Sequence, residues 1–76
     1  MRFLVSITRK SGLADPEGAT TAASLNDLGY DEIHDVHFGR TITLEVEAGT
    51  PEERIDEMCR RILANPVIED YSIEEL

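Results

Sequence analysis

The chain has 76 residues, with sixteen acidic side chains against seven basic ones, a formal net charge of −9, and a single cysteine. A chain of this length makes one domain and buries only about 60% of the surface its unfolded form exposes, so self-association would add to its stability. The acid excess repels phosphate backbones and anionic lipid, which argues against nucleic-acid and membrane-surface binding. No apolar run approaches the roughly 20 residues of a membrane span, and the N-terminus alternates apolar with polar residues, unlike a signal peptide. A cytosolic protein is expected. Cys59, on an apolar helical stripe, serves neither a disulfide framework nor a cysteine-cluster metal site and reads as a small core hydrophobe.

Residues 2–9 alternate, with Phe3, Val5 and Ile7 on one side, and predict a strand with one buried face. Arg9 to Ala14 reads as a loop. Asp15 is placed to cap a helix over Pro16 to Leu28, with Pro16 at the first helical position and Gly29 just past its end. The stripe of this helix is shallow: Gly18, Thr21, Ala22, Leu25 and Leu28 share a side. Gly18 is either a plain helix-start glycine or a place where another backbone comes close.

Two alternating runs, 33–38 and 41–47, flank Gly39 and Arg40 and predict a hairpin, with Val36 and Phe38, then Ile42, Leu44 and Val46, facing the core. Thr50, Pro51 and Glu53 form a capping-box start for a second helix, whose expected core stripe is Ile55, Met58, Cys59, Ile62 and Leu63. Arg60 and Arg61 suit its C-terminal dipole, and Pro66 forces Asn65 out of the helical region. Val67 to Ile73 reads as a last strand whose inward set, Val67, Glu69, Tyr71 and Ile73, contains an acid. Strand, helix, strand, strand, helix, strand predicts an α+β ferredoxin-like two-layer sandwich: a four-stranded antiparallel sheet with two helices on one face.

No reaction is displayed by these residues. His34 and His37, three apart on an expected strand, point to opposite faces, so a shared metal is disfavoured; Asp35 and His37 share a face and suggest a surface ion pair. No nucleophile stands beside a base in a recognisable motif, and no glycine-rich phosphate cradle is present. The open sheet face would hold Ser6, Thr8, Thr43 and Glu45 instead of the aromatics that stack RNA bases. An interaction module remains, with Ser and Thr positions that either pack on another copy or are simply solvated.

Three stretches together resemble a known family, the small subunit of phosphoribosylformylglycinamidine synthase (PurS). They are Gly12-Leu13-Ala14-Asp15-Pro16-Glu17-Gly18, Leu25 with Leu28-Gly29-Tyr30, and Cys59 with Leu63-Ala64-Asn65-Pro66-Val67-Ile68-Glu69-Asp70-Tyr71. The family usually carries an apolar residue where Thr21 stands and more lysines near Ala19 and Arg40. The resemblance implies a chain with no active site and no bound cofactor or metal. It would bridge a large ATP-, Mg- and glutamine-dependent complex, joining a synthetase subunit to a glutaminase subunit as a homodimer or dimer of dimers. Ammonia then passes to formylglycinamide ribonucleotide in purine biosynthesis. The most family-like positions, Asp15, Pro16 and Gly18 with Asn65, Pro66, Val67, Ile68 and Tyr71, become candidate partner or self contacts, although each also has a purely structural explanation. An alternative from another class is a ligand-sensing regulatory module of the ACT type, which shares this element order and has a Gly12-Leu13-like loop before its helix.

Overall fold

The apolar alternation of Phe3, Val5 and Ile7 suits a central strand, and the computed structural model, which describes residues 1–76, puts it there. β1 (Arg2–Arg9) lies between β2 (Gly39–Glu45) and β3 (Glu69–Glu75), both antiparallel to it, in the order β2-β1-β3. The register places Val5 opposite Ile42 and Ile73, Phe3 opposite Leu44, and Ile7 opposite Tyr71. All of these side chains therefore share one face. A single helix covers it: α2 (Glu52–Met58), which runs on into a π-helical turn over Cys59–Leu63. Phe3, Val5, Ile7, Ile55, Cys59 and Ala64 form the core, and Ile42, Leu44, Val46, Met58, Leu63, Tyr71 and Ile73 pack around it. No helix is long and apolar enough to cross a membrane.

The expected hairpin does not form. The sheet has three strands instead of four, and residues 33–38 join no ladder. The cause is the role of Gly39. A two-residue hairpin turn needs positive φ at its centre, but Gly39 is not among the positive-φ glycines; it pairs with Thr8 as the first residue of β2. A side chain there would put its Cβ 2.5 Å from the Ile7 carbonyl oxygen. The glycine serves close backbone approach, and the chain runs straight through it.

The first helix also departs from the expected sandwich. α1 (Pro16–Asp27) closes with a Schellman-type end, in which Tyr30 N–H donates to Leu25 O and Gly29 N–H to Asn26 O, with Gly29 at φ +99°. Yet it lies off the sheet: no residue between Thr8 and Thr41 belongs to the core or to the side chains around it. Its stripe is too shallow to displace α2 from the apolar face. Residues 10–38 instead form an arm, α1 out and 33–38 back, where Val36 is half-buried and Phe38 exposed, neither of them in the core. The chain is 49 Å long and has a radius of gyration of 15.9 Å, against roughly 11 Å for a compact chain of this length.

Three details of the second half also differ from expectation. Thr50 does not cap α2: its side chain turns back, its hydroxyl donating to Glu47 O inside the tight turn at Gly49 (φ +88°), and Pro51 holds the cap position with no side-chain hydrogen bond. Ile62 leaves the core stripe and is 80% exposed. The wider π turn, closed by Ala64 N–H on Cys59 O at 2.9 Å, winds more slowly and brings Leu63 and Ala64 inward in its place. Val67 is not in the last strand, which starts at Glu69. Truncating Ile55 to alanine should destabilise the fold by about 2–5 kcal/mol, whereas Ile62→Ala should change it by less than about 0.5 kcal/mol; urea unfolding midpoints of the two variants separate these outcomes.

Candidate functional site

The arm springs from one end of the sheet, where β1 finishes at Arg9, β2 begins at Gly39 and β3 begins at Glu69. Asp15 fixes its root. One carboxylate oxygen accepts from Gly18 N–H at 2.9 Å, capping α1, and the other accepts from Phe38 N–H at 2.8 Å, tying down the returning chain. Both bonds hold the carboxyl below the usual aspartate range, the Gly18 one most. Gly18 lets the two halves of the arm touch: a Cβ there would collide with the Val36 carbonyl oxygen. Of the two readings open in the sequence, close backbone approach is the one realised.

The other family-like stretch arrives at this same end. Asn65 forms a turn in which its side-chain oxygen accepts from Val67 N–H at 3.1 Å, and Glu69 N–H returns to Asn65 O at 2.8 Å. Lys10 N–H donates to Ile68 O at 2.9 Å, stitching the turn to the start of the arm. Asp15, Pro16 and Gly18 are thus brought to the same end as Asn65, Pro66, Val67 and Ile68, and Val67 is 81% exposed there. Tyr71 stands apart, two residues into β3, and donates from its hydroxyl to Asp56 at 2.5 Å. That bond raises the Tyr71 pKa and, together with Arg60, lowers that of Asp56.

Between the two stretches lies a cleft of about 520 Å³ whose walls include Ile7, Arg9, Asp15, Phe38, Arg40 and Glu69. Arg40 and Glu69, on the two outer strands, meet across the end of β1 through a two-pronged bond of 2.6 and 3.0 Å. Arg40 also donates to Leu63 O at 3.0 Å and Glu69 accepts from Asn65 N–H at 2.8 Å, so the pair locks both outer strands to the end of the helix. The Glu69 side chain is only 11% exposed, and Arg40 first, then Asn65 N–H, lowers its pKa to about 2. Sequence reasoning assigned Arg40 to a turn and missed this pair. The signal was the acid among the inward residues of the last strand, which required a cation on the same face.

His37 faces Asp15, its Nδ1 4.0 Å from the carboxylate, rather than pairing with Asp35. No group of three or more His, Cys, Asp or Glu side chains is arranged to hold a metal ion. Burial pushes the Cys59 thiol pKa up, which suits a packing role.

These features define a small α+β protein: a three-stranded sheet backed by one helix, with a helical arm hinged at a polar, cleft-bearing end. Residues 2–76 match the family model for PurS, phosphoribosylformylglycinamidine (FGAM) synthase. A PurS subunit from Archaeoglobus fulgidus is 43% identical over 72 residues, covering 91% of this chain and 90% of that one. The solved Bacillus subtilis PurS superposes with a TM-score of 0.87 at 33% identity, covering 96% of this chain and 94% of that chain. A chain in the structure of PurLQS from Thermotoga maritima gives 0.85 at 31% identity, with 99% and 95% covered. The chain belongs to the PurS family of FGAM synthase subunits.

A carboxyl whose folded pKa is depressed contributes stability above its unfolded value and loses it as pH falls through the folded one. For Glu69 that window runs from about 4.5 down to about 2. Melting temperature should therefore fall across this range, and less steeply in Glu69→Gln; equal slopes in the two proteins, followed by circular dichroism, would count against the Arg40 lock.

Proposed function

We propose that this chain is the non-catalytic bridge of an FGAM synthase. It holds a glutaminase subunit and an ATP-dependent synthetase subunit in register so that ammonia released from glutamine reaches the activated amide of formylglycinamide ribonucleotide before water does. The observation that carries the reading is the near full-length superposition on a chain of the PurLQS structure. Positioning of this kind raises the effective concentration of a transferred intermediate and requires no reactive group on the positioning chain. ATP, Mg and glutamine would then be handled by the neighbouring subunits, and the complex would work in the cytoplasm. The alternative of an amino-acid-sensing module has no support from the family match.

The same reading includes self-association through the arm. The order β2-β1-β3 matches a ferredoxin-like sheet that lacks one edge strand, the one beside β2. Residues 33–38 are the natural candidate, but they continue in line with β2 and lie too far out to fold back on it. A second copy can supply them, giving each body its fourth strand by exchange. Val36 O and Phe38 N–H face α1, so in an extended run the backbone groups of Asp35 and His37 face outward, ready for a partner. The exposed Leu28, Tyr30 and Phe38 would be covered by the same contact.

Mixing the chain with both large subunits tests the bridge: glutamine-dependent product formation should collapse when it is left out, while activity supported by added ammonium salt should persist. Equal glutamine-dependent rates with and without it would end the proposal. His37→Pro, which removes an outward N–H, should convert the oligomer to monomer in analytical ultracentrifugation without unfolding the body.

A further inference from the structure

The sheet has two free edges, and the arm accounts for only the one along β2. β3 forms the other. Lys10 N–H on Ile68 O and Leu76 N–H on Arg2 O fix the phase of its ladder. The backbone groups of Asp70, Ser72 and Glu74 therefore turn to β1, and those of Tyr71, Ile73 and Glu75 turn outward. No acceptor in the chain takes these three N–H groups. Such a row of unpaired groups is a template for another strand.

In everything but charge, the strand that fits there is β3 of a second copy. Antiparallel pairing with full overlap of Glu69–Glu75 puts a two-fold axis at Ser72 and joins the outward backbone groups of both strands. Tyr71 then meets Ile73 on the helix side, so half-buried apolar residues face each other in both halves. The same register sets Asp70 against Glu74 and Glu69 against Glu75, each contact occurring twice. Every acid of the strand meets an acid. Glu69 is held by Arg40 and Asp70 pairs with Lys10 at 3.5 Å, but Glu74 and Glu75 have no cation. Each copy also brings a net charge of −9. Sliding two residues either way relieves the repulsion only by shortening the ladder and setting Glu69 beside Ile73 or Glu75 beside Tyr71.

We infer that the acids of β3 are an electrostatic stop, which keeps this edge from closing on a second copy through a ladder that is otherwise self-complementary. The stop decides how far assembly goes. With arms exchanged at β2, an unguarded β3 would leave an open edge at each end of the pair, and pairs would add end to end as one growing sheet. The acids keep the assembly finite. That consequence rests on the arm reading, whereas the stop itself rests on β3 alone.

Glu74→Lys turns the two contacts with Asp70 into ion pairs across the axis, and combining it with Asp70→Lys makes them like-charged again. All these side chains are exposed, so circular dichroism should stay that of the wild type. In sedimentation Glu74→Lys should strengthen association at least about tenfold. The double variant should return to the wild-type distribution, although net charge alone predicts the opposite order. Ser72→Cys added to Glu74→Lys should form a disulfide between copies under mild oxidation, because the Ser72 pair is a non-hydrogen-bonded one with Cα atoms about 4.5 Å apart. Ser72→Cys alone should stay unlinked. Wild-type sedimentation of Glu74→Lys, or equal association of the single and double variants, overturns the stop. Cross-linking of Ser72→Cys alone overturns it as well, since the edge would already be closed. Adding His37→Pro to Glu74→Lys should limit assembly to pairs; pairs from Glu74→Lys without it uphold the stop and count against the arm exchange instead.

Discussion

The structure depends on one constraint: a single apolar sheet face, five side chains deep from β1 to α2, has one short helix to cover it. Phe3, Val5 and Ile7 meet Ile55 and Cys59, and no other element takes part at that depth. A core this small leaves little margin. It is closed at one end by Arg40 and Glu69, whose bonds reach both outer strands and the last turn of the helix. That pair is more than a surface ion pair, because it satisfies the Leu63 carbonyl that the helix end leaves without an intrahelical partner and the N–H of Asn65 in the turn that follows.

Much of the body was legible in the residues. The alternation in residues 2–9, the helix start at Asp15 and Pro16, the C-terminal glycine at Gly29, and the inward set Glu69, Tyr71 and Ile73 all stand where their patterns put them. What failed did so for identifiable reasons. Gly39 looks the same in sequence whether it turns a hairpin or lets two strands lie close, and only the Ile7 carbonyl beside it decides. Ile62 fits an α-helical stripe, but the chain switches to a wider turn at Cys59, which a fixed period of 3.6 cannot anticipate. Thr50 had two possible partners, an N–H of the helix start to accept from and the Glu47 carbonyl to donate to, and its side chain turned to the second.

The candidate contact residues were legible only as family-like stretches. Nothing in the sequence says that Asp15 and Asn65, fifty positions apart, reach the same end of the sheet; that follows from the antiparallel order of three strands. Nor does it show that Asp15 serves two masters, the helix start and the returning chain. Tyr71 belonged to the same stretch as Asn65 yet faces inward to Asp56, so sequence similarity grouped residues that geometry separates.

The separation of arm from body carries an evolutionary corollary. Because residues 10–38 contribute no side chain to the core, substitutions in that stretch can drift with the surfaces of neighbouring proteins while leaving foldedness untouched. Gly18 and Asp15 are the exceptions, since they join the two limbs to each other. Lineages of such a protein should therefore diverge fastest along the protruding limb and slowest along the central strand, a gradient set by packing alone.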